Sequence, residues 1–264
     1  MSDWPVVVGQ KPRLGETLRS YTPARVGLGR AGSAIATEDQ LKFQLDHALA
    51  RDAVQARLDV AGMLDGLRRL GLEGVTLRSA VEAGPGERQS YLRRPDLGRR
   101  LGEESAPRLR EIAAQSSERP DVVFVVADGL SALAVERHAL ALLTAVTGLM
   151  AGEWRVGPVC VVSQGRVAIG DEIGALLGAR LVAMLIGERP GLSAADSLGV
   201  YITWEPRVGR TDAERNCISN VRHEGLTYDE AAKRIVMYLH GAKLLGATGV
   251  GLKEAVALPP GESK

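Results

Sequence analysis

Residues Val122-Val123-Phe124-Val125-Val126-Ala127 form an uninterrupted apolar run between Asp121 and Asp128-Gly129. A strand with one wet face alternates apolar and polar positions. A strand apolar at every position has both faces covered, as in a parallel sheet with helices above and below. The pattern recurs downstream. Ser131 can cap a helix from Ala132 to about Met150, and Pro158-Val159-Cys160-Val161-Val162 reads as a second buried strand. Ile169 to Leu177 reads as a short helix. Leu181 to Ile186 is a third strand, running into Gly187-Glu188-Arg189-Pro190-Gly191, and Gly199 to Trp204 is a fourth. Strands alternating with helices at these lengths predict an α/β fold with a parallel sheet and helices on both faces. The last helix follows Thr227-Tyr228-Asp229-Glu230, a capping box.

The first part of the chain reads differently. Residues 1–36 carry Pro5, Pro12, Pro23 and several glycines without a period, which predicts an extended arm. Thr37-Glu38-Asp39-Gln40 is a second capping box, and Leu41, Leu45, Ala48 and Leu49 share one helical face after it. Gly71 would end this helical stretch, Val75 to Leu77 suit a short strand, and a helix is expected over about 102–116. Three regions result: an arm over 1–36, a mainly helical region over 37–116, and an α/β domain over 117–264.

In open parallel sheets, ligands bind beyond the carboxyl ends of the strands. Those ends are Asp128-Gly129, the loop around Gln164 to Val167, Glu188-Arg189-Pro190, and Glu205-Pro206-Arg207. Glu188 follows a buried strand in a loop tightened by Pro190 and flanking glycines, where a carboxylate can accept hydrogen bonds from ligand amides or pair with Arg189 in an exposed turn. Cys217, in Asn216-Cys217-Ile218-Ser219-Asn220, reads on its own as a small buried hydrophobe. Val167 alone reads as packing.

Several function classes are disfavoured. The net charge of +1 provides no global field for nucleic acid or an anionic membrane. The crowd of Arg93, Arg94, Arg99 and Arg100 reads as a solvated or subunit-facing surface. Two cysteines, Cys160 and Cys217, make no framework of disulfides and no zinc motif. A reducing compartment is the default, and the apolar run Val6 to Val8 is too short for a signal peptide or a membrane span. There is no G-x-S-x-G, no Walker loop and no H-E-x-x-H. His47, His138, His223 and His240 are scattered, with His47 and His138 expected on helices with polar exposure. Gly27-Leu28-Gly29-Arg30-Ala31-Gly32 matches G-x-G-x-x-G, but no buried strand precedes it, and Pro23 could not donate to a central ladder.

An ordered set of runs resembles the ethanolamine ammonia-lyase small-subunit family. It comprises Thr22-Pro23-Ala24-Arg25-Val26 with Gly29-Arg30-Ala31-Gly32, then Arg94-Pro95-Asp96-Leu97-Gly98-Arg99-Arg100 and Ala127-Asp128-Gly129-Leu130-Ser131. Gly165-Arg166-Val167, Asp171-Glu172-Ile173-Gly174, Ile186-Gly187-Glu188-Arg189-Pro190-Gly191-Leu192 and Cys217-Ile218-Ser219-Asn220 complete it.

The resemblance implies a Rossmann-like cobalamin-binding domain over 117–264. It also implies one half of a lyase that converts ethanolamine to acetaldehyde and ammonia. The partner would be a large β/α-barrel subunit carrying most catalytic residues, in equal copies, with no nucleic acid or membrane. Adenosylcobalamin would lie between the two, contacted here by Val167, Glu188 and Cys217, with no catalytic residue and no cobalt ligand from this chain. The missing D-x-H-x-x-G run, which supplies a cobalt-binding histidine in other cobalamin domains, agrees with a base-on cofactor. The expected compartment is cytoplasmic. Relatives that enter a bacterial microcompartment often carry a longer N-terminal extension than the roughly 20 residues before Thr22. Two other readings stay open: a stand-alone nucleotide-binding oxidoreductase built on Gly27 to Gly32, and a non-enzymatic assembly partner.

Overall fold

The computed structural model describes residues 18, 21–22, 24–28, 30–150 and 152–252. The expected arm therefore falls largely outside the described residues. What is described there includes a small antiparallel hairpin of β1 (Arg30–Ala31) and β2 (Ala34–Ile35). The main body is a six-stranded sheet in the order β3-β5-β4-β6-β7-β8. Its strands are β3 (Gly74–Arg78), β4 (Val122–Ala127), β5 (Val159–Ser163), β6 (Leu181–Gly187), β7 (Leu198–Trp204) and β8 (Arg215–Val221).

β3, β5, β4 and β6 run parallel. β4 sits between β5 and β6, and all six of its residues are buried. Its side chains alternate between two cores. Val122, Phe124 and Val126 face one cluster, and Val123, Val125 and Ala127 face the other. The first cluster is closed by α2 (Val60–Arg69), α5 (Ala132–Met150) and α7 (Tyr228–Leu245), through Leu67, Leu142 and Leu239 among others. The second is closed by α4 (Ser105–Gln115) and α6 (Ile169–Leu176), through Leu109, Ile169 and Ile173. This is the mixed α/β architecture that the apolar runs predicted. By length and composition α5 could cross a membrane, but one face of it, with Val135, Leu142 and Val146, is buried in the first core.

Two strands depart from a purely parallel sheet. β7 pairs antiparallel to β6, and β8 antiparallel to β7. The residues between Gly187 and Leu198 contain no helix, and without a crossover helix the chain turns straight back. β8 escaped the sequence reading because Arg215, Asn216, Ser219 and Asn220 break the apolar run, as an edge strand with one wet face allows.

Local signals held in most places. Ser131 Oγ accepts from the Ala134 amide at the start of α5, at 3.2 Å. Thr227 Oγ1 accepts from the Glu230 amide ahead of α7, at 3.4 Å. Gly71 follows α2 with φ of +72°. The Thr37 capping box does not form: α1 (Thr37–Gln55) begins at Thr37 itself, and Ala36 caps it without a side chain. α1 is otherwise unusual. Of its 19 residues only Ala53 is buried, and Leu41, Leu45 and Leu49 are 60%, 59% and 50% exposed. The apolar face read from the sequence exists, but it looks outward.

Candidate functional site

The chain leaves β4 towards α5 on one face of the sheet and leaves β5 towards α6 on the other. Adjacent parallel strands whose connections diverge in this way open a crevice at their carboxyl ends. A cleft of about 450 Å³ lies there. It is lined by Gly129 and Leu130 after β4, Arg166 and Val167 after β5, and Ile186 to Arg189 at the end of β6. Tyr91 of α3 (Glu87–Arg93), Tyr201 of β7 and Ser219 of β8 complete the wall.

Val167 and Glu188 therefore share one cleft. Cys217 does not line it directly. It is exposed on β8 and stands opposite Tyr201, its cross-strand partner, which does line the cleft. Loss of solvent around the sulfur raises the Cys217 thiol above its ordinary pKa; the adjacent Tyr201 hydroxyl opposes the shift and the Glu188 charge adds to it. The shift favours the protonated thiol.

Glu188 has more partners than its sequence position suggested. Its carboxylate accepts from the hydroxyls of Ser197 and Ser219, and from the Asn220 amide at 3.2 Å. Its own amide donates to the Ser197 carbonyl at 2.9 Å. One side chain thus joins the end of β6, the start of β7 and the end of β8. Asn220 takes the left-handed conformation, φ of +62°, beside it.

Under the cleft lies a buried polar node. Asp128 is 1% exposed and stands 3.7 Å from an Arg88 nitrogen. Burial pushes its carboxyl up to about 6, against the pull of Arg88. Its Oδ1 accepts from the Gly165 amide at 3.2 Å. Arg88 also donates to Gln164 Oε1 at 3.0 Å and to the Val54 carbonyl at 2.6 Å, yet its Nη2 is buried without a partner. Tyr91 donates its hydroxyl to the Gly165 carbonyl at 2.9 Å. The node ties the loops after β4 and β5 to α3, whose Tyr91 lines the cleft.

Among the described residues, no group of three or more histidine, cysteine, aspartate or glutamate side chains could hold a metal ion. His138 is not the exposed helical residue expected. It is fully buried where α7 packs on α5, with Nδ1 2.8 Å from the Tyr228 hydroxyl and its ring edge-on to His223 at 5.7 Å. The Gly27 to Gly32 motif joins no buried strand to a helix. Its described part runs into the β1–β2 hairpin, Gly29 lies outside the described residues, and the dinucleotide reading loses its structural basis.

Comparison with known proteins agrees with the ordered runs. The family model described as "Ethanolamine ammonia-lyase light chain (EutC)" matches residues 14–253. The chain belongs to this family. It is 54% identical over 240 residues to an ethanolamine ammonia-lyase small subunit of Azotobacter vinelandii, covering 90% of this chain and 87% of that one. It is 52% identical over 261 residues to the small subunit of Pseudomonas fluorescens, covering 98% and 93%. The small subunit of Xanthomonas campestris pv. campestris matches at 52% over 243 residues, covering 92% and 88%.

Within this family, the chain presents a site only partly visible in its sequence. Arg88, Tyr91 and Tyr201 were missed, and so was the role of Ser197 and Ser219. A proline-bounded run such as Ser90 to Arg100 gives no sign that its tyrosine returns to a loop 74 residues away.

Proposed function

We propose that this chain is the cofactor-holding subunit of an adenosylcobalamin-dependent ethanolamine ammonia-lyase, which releases acetaldehyde and ammonia from ethanolamine with a large subunit as partner. The observation that carries this reading is the cleft at the carboxyl ends of β4, β5 and β6, where Val167 and Glu188 meet and Cys217 stands behind Tyr201. The resemblance mapped cofactor contacts onto these three residues, which lie far apart in the chain.

The residues present fit such a group. A corrin is broad and apolar with a fringe of amides. The cleft offers apolar Leu130, Val167 and Ile186 beside the polar Glu188, Ser219 and Tyr201, and it holds a buried guanidinium nitrogen without a partner, Arg166 Nε. Its volume suits part of such a molecule rather than the whole. The second wall must then come from the partner. The outward stripe of Leu41, Leu45 and Leu49 on α1 supports a large covering surface elsewhere on the chain.

When bound, adenosylcobalamin supplies the one-electron chemistry of the reaction. This chain's residues bind and orient. Glu188, already fixed by Ser197, Ser219 and the Asn220 amide, holds the rims of three strands in register. Val167 presents an apolar contact, and Cys217 leaves room by its small size. None of them moves a proton in the reaction.

The test is ammonia release from ethanolamine with adenosylcobalamin, for this chain alone, the large subunit alone, and the two co-expressed. Activity is expected only from the pair, and activity from this chain alone would overturn the reading. In the pair, Glu188→Ala should weaken adenosylcobalamin binding about tenfold or more, because the bonds from Ser197, Ser219 and the Asn220 amide that set the cleft wall are lost, and hydrogen bonds to a charged group are worth about 1.5–3 kcal/mol each. Unchanged affinity by absorbance titration would remove Glu188 from the site.

A further inference from the structure

We propose that Arg166 is the anion-binding residue of the cleft and grips the phosphodiester of the cofactor's nucleotide tail. The inference rests on the cobalamin reading above and goes beyond it by naming a residue and the ligand group it takes.

Arg166 follows β5 and lines the cleft next to Val167. Its amide is fixed by a 2.7 Å bond to the Gly98 carbonyl. Its guanidinium carbon lies 4.3 Å from the centre of the Tyr91 ring, so the group stacks on that ring. Gly98 makes the seat possible. A Cβ there would come 2.8 Å from Arg166 Cγ and 3.0 Å from Tyr91 Cε2. The backbone of the short 3-10 turn Leu97–Arg99 thus presses the arginine stem onto the aromatic ring.

The guanidinium so placed is short of partners. A guanidinium has five N–H donors. Here Nη2 makes one long contact, 3.5 Å to the Tyr91 carbonyl, and Nε is buried with none. Among the described residues Arg166 has no ion pair, whereas its neighbour Arg88 has Asp128. Arg88, His138, Trp154 and Arg215 also hold such a buried nitrogen, and of these five residues Arg166 alone lines the cleft, where water or a ligand can complete its fork. The charges of the cleft agree. Its lining carries two guanidinium groups, Arg166 and Arg189, against one carboxylate, Glu188, whose lone pairs already serve Ser197, Ser219 and Asn220.

The missing partner is therefore an anion with oxygen acceptors spaced for a planar fork, and a phosphate oxygen pair matches that geometry. Adenosylcobalamin has a single anionic group, the phosphodiester joining the corrin side chain to the ribose of its benzimidazole. The carboxamides around the corrin are neutral and leave the excess charge unanswered. Arg189 is the weaker candidate, since its side chain is exposed and its charge is screened by water.

The experiment uses the co-expressed complex of this chain with its large subunit, in native, Arg166→Met and Arg166→Lys forms. Affinity is measured by absorbance titration for adenosylcobalamin, adenosylcobinamide phosphate and adenosylcobinamide. The last two differ only in the phosphate. Arg166→Met should weaken the two phosphate-bearing ligands about 10- to 100-fold and adenosylcobinamide less than about threefold, with Arg166→Lys recovering part of the loss. Equal losses for all three ligands would make Arg166 a structural residue and overturn the proposal. No loss for any would do the same. If the native complex fails to bind adenosylcobalamin itself, the cobalamin reading falls first, and that result is distinct from either of the others.

Discussion

Replacing Asp171 with alanine is expected to destabilise the protein by about 3–5 kcal/mol, the largest single effect among the side chains described. Asp171 lies on α6 and Arg215 begins β8, and both side chains are 2% exposed. They meet in a two-pronged pair, with both nitrogen–oxygen distances 2.6 Å. Burial alone would lower the Arg215 guanidinium, but the hydrogen bonds and charge of Asp171 more than offset it and hold it above its ordinary pKa. Thr203 Oγ1 and the Arg210 carbonyl accept from the same guanidinium at 2.9 and 3.0 Å. Taking away the carboxylate leaves a buried cation that cannot shed its proton, and the exposed Asp212 carboxylate, 3.5 Å from its Nε, does not replace the two-pronged pair. Thermal unfolding of the purified protein should show a midpoint lowered on the order of 10 °C. A double replacement, Asp171→Leu with Arg215→Met, should recover most of the loss because it removes both charges. A single variant as stable as the native chain would show that the pair carries little.

Gly187→Ala is expected to cost about 3 kcal/mol or more and to distort the cleft wall. Gly187 ends β6, where the loop after β4 folds directly over it. A Cβ at this position would overlap the Ser131 carbonyl oxygen and come 2.6 Å from the Asp128 carbonyl oxygen. Both obstacles are backbone, so no side chain can swing aside, and overpacking against fixed atoms costs more than the usual 1–3 kcal/mol range. The two strand ends would have to part, and Leu130, whose amide donates to the Gly187 carbonyl at 2.9 Å, would move with them. Gly148, in α5, is the control: a Cβ there meets nothing within 4 Å, and Gly148→Ala should stabilise by about 0.5–1 kcal/mol. Chemical denaturation of the three proteins decides the matter. Gly187→Ala as stable as native would mean that the strand ends part freely.

What was legible in the sequence follows from what each residue must do locally. β4, β5 and β6 announced themselves because a strand covered on both faces leaves no position for a polar side chain. Ser131 and Thr227 were legible because a helix start demands a donor's partner within three residues. β8 was not, since Arg215 and Asn216 are buried for reasons that lie in other elements: Arg215 in Asp171, and Asn216 in the backbone of Gly249, to which it bonds at 3.1 and 2.8 Å. His138 was misread for the same reason. Its burial depends on α7, about 90 residues away. Glu188 could be singled out by its place after a buried strand, but its three partners are Ser197, just before β7, and Ser219 and Asn220 of β8. Tyr91 and Arg88 converge on Gly165 and Gln164 through tertiary contacts that no local pattern encodes.

The outward stripe of α1 also has a kinetic side. Meeting between two copies of this chain is second order in its own concentration, whereas capture by a partner depends on the concentration of both. Copies that display Leu41, Leu45 and Leu49 uncovered therefore meet one another at a rate that rises with the square of their concentration. A chain with this surface stays dispersed best when its free concentration is kept low. Low free concentration then does for it what a charged surface does for other chains.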